Sequence, residues 1–243
     1  MKPTLFLHVG MDKTGTSAVQ LFLHERRTEL LEQTGVLFPM TGKWSDHSHH
    51  PFAFTTLSMG DFKPSSLKGL FANLAREIKQ TDAKSVLLSS ECFFKMHTKE
   101  GFEAFWDKAV ELFGDIKIIV YVRRQDKWVE SRHRHSIVSG NEFPVEMLSR
   151  PFFSNYKQFI DKWRDLVGEG NVILKPFERQ QFVKGDVCQD FAHILGATDL
   201  KPSEDTQVNV GFSSQRILFR KLVQKLNSDE ADMHRLNRML LKL

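Results

Sequence analysis

Two cysteines in 243 residues, Cys92 and Cys188, are too few and too far apart to build a disulfide framework. Both sit in apolar surroundings and read as small buried thiols, which suits a reducing compartment. No stretch approaches the roughly 20 apolar residues that span a bilayer, so no membrane span is expected. The N-terminus carries one Lys and then a short apolar run, which is not a secretory signal. No dense Lys/Arg run is present. The nearest is Arg132-His133-Arg134-His135, and the net charge of +4 is mild, which argues against nucleic acid as a partner and suits small anions. Internal repeats, low-complexity tracts and the usual metal-ligand motifs are missing too, and no metal is expected.

What is present is ordinary globular material, 41% hydrophobic and 26% charged, enough for a single domain over residues 1–243. Continuous apolar runs at Leu5–Val9, Val86–Leu88, Ile116–Val122 and Val172–Leu174 predict buried strands, with Gly35–Phe38 as a fifth. Helical stripes separate them: Leu67 to Ile78, Phe102 to Phe113 before Gly114, Tyr156 to Val167 before Gly168, and Val187 to Leu195 before Gly196. Two more stripes follow, Phe219 to Leu226 and Met233 to Leu243; the last fits packing on its own domain or on a second copy of the chain, so a homo-oligomer stays open. Strands alternating with helices predict an α/β fold of three layers, a parallel sheet flanked by helices. Segment 39–64, with Pro39, Gly42, Trp44, three His, Pro51, Gly60 and Pro64, shows no clean period in its first half and reads as an irregular insert suited to substrate contacts.

The first strand runs into Gly10-Met11-Asp12-Lys13-Thr14-Gly15-Thr16-Ser17, and a helical pattern begins at about Ser17. A strand feeding a Gly-containing loop at a helix start holds phosphate-like anions through loop N–H groups, the helix dipole and a Lys charge. Gly10 and Gly15 have the Walker A spacing, but Thr16 stands where that motif needs Lys, and the loop's Lys is Lys13. The third strand-to-helix junction ends in Arg123, followed eight residues later by Ser131; a guanidinium and a hydroxyl are suitable phosphate ligands.

Lys13-Thr14-Gly15-Thr16-Ser17 resembles the phosphosulfate loop of sulfotransferases that use 3′-phosphoadenosine 5′-phosphosulfate (PAPS), whose core reads Lys-[Ser/Thr]-Gly-Thr-[Thr/Ser]. Arg123 and Ser131 resemble that family's 3′-phosphate motif, with Arg123-Arg124-Gln125-Asp126 in a form similar to bacterial members. The resemblance implies a P-loop nucleotide-kinase-like fold. It also implies transfer of a sulfuryl group from PAPS to a hydroxyl acceptor, a carbohydrate or small bacterial metabolite, leaving adenosine 3′,5′-bisphosphate. It implies that Lys13 stabilises the leaving group, that Thr14, Gly15, Thr16 and Ser17 bind the phosphosulfate, and that Arg123 and Ser131 bind the 3′-phosphate. Golgi members begin with a membrane anchor, so its absence here predicts a cytoplasmic, bacterial enzyme or a shortened piece of a longer chain. The chain departs from cytosolic members in having Ala18 where they place an adenine-stacking Trp. Lys184-Gly185-Asp186 reads as a helix start rather than as the family's late Lys-Gly-x-x-Gly clamp.

The base that accepts the acceptor's proton is sought in two places. His49 and His50 follow Gly35-Val36-Leu37-Phe38-Pro39, similar to a string that precedes a His in bacterial relatives, and an imidazole is suited to base work near neutral pH. Glu91, just after the second long strand, is the other candidate. Two rival functions are a nucleotide-dependent kinase with a degenerate P-loop, and a non-catalytic nucleotide-binding protein.

Overall fold

A computed structural model describes residues 1–63, 66–94, 96–139, 144–148 and 155–203. The expected helical stripes at 219–226 and 233–243 lie outside the described residues. Two compact units are present: Met1–Arg123 with Tyr156–Val208, and Arg124–Asn155 with Asn209–Leu243.

The apolar runs of the first unit form β1 (Thr4–His8), β2 (Val36–Leu37), β3 (Ser85–Ser89), β4 (Asp115–Val122) and β5 (Val172–Pro176). They make one sheet in the order β2-β3-β1-β4-β5, with every pairing parallel. β1, β3 and the middle of β4 are largely buried on both faces, which is why they read as mostly apolar runs. Register puts Leu5 and Leu7 beside Val86 and Leu88 on one side and beside Ile116 and Ile118 on the other, so these side chains share a sheet face.

Helices α1 (Thr16–Glu25), α2 (Arg27–Thr34) and α9 (Val187–Ile194) cover the opposite face, where Val19, Phe22, Leu30 and Phe191 close over Leu87, Ile119 and Tyr121. Asp186 caps α9 by accepting from Gln189 N–H at 3.0 Å, the helix start expected there. Helices α3 (His50–Leu57), α4 (Leu67–Thr81), α5 (Phe102–Leu112) and α8 (Tyr156–Val167) join through rings: Phe52 on Phe71, Phe71 on Phe105, and Phe102 on Trp163. The second unit holds, among the described residues, α6 (Gln125–Val138) and the short α7 (Val145–Leu148).

Segment 39–64 differs from the sequence expectation, because it contains α3. Pro51, Phe52, Ala53, Thr55 and Thr56 are all buried, so the helix has no continuous polar face and no 3.6-residue alternation marks it. The first helical stretch also breaks, at Arg26, into α1 and α2.

The strand order sets the site. The chain leaves β1 toward β2 and leaves β3 toward β4, in opposite directions, although β1 and β3 are neighbours. In such sheets ligands bind beyond the carboxyl ends of the strands where this reversal opens a crevice.

Candidate active site

Beyond β1 the loop curls tightly onto α1. Lys13 and Gly15 both have positive φ, 66° and 72°, and Thr14 Oγ1 donates back to the Met11 carbonyl. A Cβ on Gly10 would stand 2.3 Å from Thr16 Cγ2, and one on Gly15 would stand 3.0 Å from the Phe177 ring. Gly10 is therefore required by close approach, and Gly15 by its left-handed backbone, with the Phe177 ring in tight contact behind it. α1 has no acidic residue in its first turn, and no side chain caps it. Its first N–H groups, the dipole and Lys13 make this end favourable for an anion.

Arg123 leaves the end of β4 and donates from Nη1 to the Lys13 carbonyl at 3.0 Å. Its guanidinium lies 5.6 Å from the centre of the Phe177 ring, the same ring that backs Gly15. The two cationic segments, 110 residues apart, thus meet at the carboxyl ends of β1 and β4. Ser17 is exposed at the start of α1, and Ser131 lies half-buried on α6 of the second unit.

Glu91 follows β3 and anchors a polar network. Its Oε1 accepts from the Thr16 hydroxyl, and its Oε2 accepts from Gln20 Nε2 at 3.5 Å and lies 3.7 Å from His50 Nε2. Gln20 Nε2 also donates to Ser89 Oγ at 3.1 Å, and Ser89 Oγ is 2.8 Å from His8 Nδ1. His8 and Ser89 are cross-strand partners in the β1–β3 register, which brings their side chains together. Burial pushes His8 down to about 3, so it is neutral. The network runs beneath the loop and links His8, Ser89, Gln20 and Thr16 to Glu91.

The two histidines of segment 39–64 have different surroundings. His49 is fully buried; its Nδ1 accepts from Ser89 N–H at 3.1 Å and its Nε2–H donates to the Pro39 carbonyl at 3.0 Å. Burial holds it down at about 4, and both nitrogens serve backbone groups. His50 instead places Nδ1 2.7 Å from Ser90 Oγ, which also accepts from Cys92 N–H. Its Nε2 lies between Asp46 Oδ2 at 3.4 Å and Glu91 Oε2 at 3.7 Å. Burial works against the Asp46 charge, yet the Ser48 hydroxyl and N–H, with His50 nearby, hold its carboxyl below the usual range.

Both cysteines are free thiols, and burial pushes Cys92 up to about 11 and Cys188 up to about 12. Neither is a nucleophile at neutral pH.

His8, Gln20, Ser89, Ser90 and Asp46 are members of this site that the motif search does not single out. The available signal is a polar residue interrupting an apolar run: His8 in Leu5–Val9, and Gln20 on the buried stripe of Val19, Phe22 and Leu23.

Comparison with known proteins agrees with this architecture. A protein of Archaeoglobus fulgidus, described as uncharacterized, is 26% identical over 163 residues, which are 65% of this chain and 44% of the relative. The chain therefore spans less than half the length of that relative. The crystal structure of a sulfotransferase from Alicyclobacillus acidocaldarius superposes with a TM-score of 0.51 at 16% identity, covering 96% of this chain and 99% of that one. A sulfotransferase domain from the curacin biosynthetic pathway gives 0.46 at 12% identity, over 84% and 76%. The first of these structures has the same fold, the α/β P-loop-like sulfotransferase fold. The family profile described as Sulfotransferase domain matches residues 6–184. That is well over half of the sequence, and the chain belongs to the sulfotransferase family.

Proposed function

We propose that this protein transfers a sulfuryl group from PAPS to a hydroxyl acceptor without a metal. The observation that carries the proposal is the hydrogen bond from Arg123 to the Lys13 carbonyl, which joins the two segments expected to bind the donor at the carboxyl ends of β1 and β4. The uncapped start of α1 and the Lys13 charge suit the 5′-phosphosulfate, with Thr14, Gly15, Thr16 and Ser17 as its loop ligands. Arg123 suits the 3′-phosphate. Ser131 is assigned to that phosphate on its eight-residue spacing from Arg123 alone.

The donor supplies the sulfuryl group, whose bond to the phosphate oxygen breaks as the acceptor oxygen bonds to sulfur. Lys13 stabilises charge on the departing oxygen. His50 is the base. With Nδ1–H given to Ser90 Oγ, Nε2 is the nitrogen that takes the acceptor's proton, beside Glu91 and Asp46. Glu91 is an orienting group held by Thr16 and Gln20, and His49 is a structural pin between β3 and Pro39.

Transfer from radiolabelled PAPS to hydroxyl acceptors tests this. His50→Ala lowers kcat by about 10²–10⁴-fold while binding of adenosine 3′,5′-bisphosphate persists. Glu91→Gln gives a smaller loss. A His50→Ala enzyme with full kcat contradicts the assignment.

A further inference from the structure

Segment 39–64 carries an exposed apolar surface that starts at the proposed base. His50 packs against Phe54 with ring centres 5.1 Å apart, and Phe54 against Trp44 and Phe62 at 5.8 and 5.4 Å. Trp44 and Phe62 also touch, at 5.6 Å, so the three rings close into a cluster. A core cluster would be sealed, but this one is open: Trp44 is 40% exposed and Met59, whose N–H donates to the Phe54 carbonyl, is 45% exposed. Met40 of the same segment is 47% exposed. Three of the seven most exposed large apolar side chains among the described residues fall within residues 40–59, and Trp44 connects to His50 through the Phe54 ring, so this surface calls for an occupant.

The chemistry of the surface selects that occupant. The formal charges of residues 39–63 cancel, Lys43 and Lys63 against Asp46 and Asp61, so the surface does not recruit a charged body. Beside the rings, Asp46 is engaged by the Ser48 hydroxyl, and His49 and Thr56 are buried and bonded inward, to Pro39, Ser89 N–H and the Phe52 carbonyl. A sugar offers a hydroxyl on nearly every ring carbon and requires matching partners, which rings and thioethers do not supply. An aliphatic chain requires none, and methionine side chains adapt to its shape.

We infer that the acceptor is an alcohol with an apolar body, whose hydroxyl lies at His50 and whose chain lies over Phe54, Trp44 and Met59. This rests on the sulfotransferase reading above and narrows its acceptor from the carbohydrate or small bacterial metabolite implied by the family resemblance to an aliphatic alcohol. Trp44 and Met59 are specificity-determining residues and take no part in the chemistry.

The test is equilibrium binding of straight-chain primary alcohols from ethanol to decanol, followed by tryptophan fluorescence, beside calorimetric titration with adenosine 3′,5′-bisphosphate. Affinity rises about two- to fourfold per methylene, the upper limit being the value of a fully buried CH₂, and levels off once the chain passes Trp44. Trp44→Ser and the exposed Met59→Asp, read by calorimetry, each flatten this dependence and leave bisphosphate binding unchanged. In turnover the same substitutions raise KM for long alcohols and spare kcat. Alcohol binding with no chain-length dependence, or dependence that survives both substitutions, overturns the inference even where the bisphosphate binds. Failure of the bisphosphate to bind overturns the donor reading even where the alcohols bind.

Discussion

Lys13 and Gly15 are bent into the left-handed region on either side of Thr14, and the two residues bear that bend differently. Gly15 has no Cβ to lose, whereas Gly15→Ala meets both the positive φ and the Phe177 ring. Chemical denaturation is expected to show a loss of about 1–3 kcal/mol, with weakened bisphosphate binding, since the same atoms shape the loop. His49 and His50 give a second residue-level contrast. His49→Ala frees Ser89 N–H and the Pro39 carbonyl inside the fold, so it costs stability, about 1–3 kcal/mol by denaturation. Loss of His50, on the proposed reading of it as the base, is expected to cost kcat instead. The tight turn after β1 was legible from sequence because two glycines between an apolar run and a helical pattern mark a strand-to-helix turn. The division of labour between His49 and His50 was not, because adjacent residues on a chain entering a helix point in different directions, and only coordinates reveal which imidazole meets backbone.

At the scale of elements, Asp190 of α9 ties β4 and β5 to that helix. Nearly inaccessible, it accepts from Tyr121 Oη at 2.6 Å and Val183 N–H at 3.1 Å and pairs with Lys175 Nζ at 3.1 Å. Burial, then the bond to Asp190, pushes the Tyr121 phenol far above its ordinary value, so it stays a donor. Asp190→Ala strands these groups and is expected to destabilise by about 2–4 kcal/mol, discounted for the partly exposed Lys175, with Tyr121→Phe costing about 1. Thermal or urea unfolding of both variants checks the ranking. The strands were readable because both faces of the sheet are covered, and α4, α5, α8 and α9 because each keeps one wet face. α3 was hidden because most of its surface is buried, and β2 is only two residues long.

Across the whole molecule, two buried neutral histidines shape the acid limb of stability. His8 and His49 ionise in the folded protein only near 3 and 4, against 6.5 when unfolded. Their depressed values mean that the unfolded chain binds more protons below 6.5. Stability is full above that pH and falls as acid is added down to those folded values. Their combined slope approaches about 2.7 kcal/mol per pH unit between roughly pH 6 and 4. Urea titrations at pH 7, 6, 5 and 4 measure it; a flat limb contradicts the burial of these imidazoles as neutral groups.

The central claim is that the loop at Lys13 and the arginine at 123 grip one doubly anionic adenosine nucleotide. Thermal unfolding with adenosine 3′,5′-bisphosphate, set beside ATP with Mg²⁺, tests it most directly. At a hundredfold excess over Kd the account predicts a rise of about 5–10 °C with the bisphosphate and no metal, abolished in both Lys13→Ala and Arg123→Ala. Stabilisation by ATP with Mg²⁺ alone, or a bisphosphate shift that survives both substitutions, contradicts it.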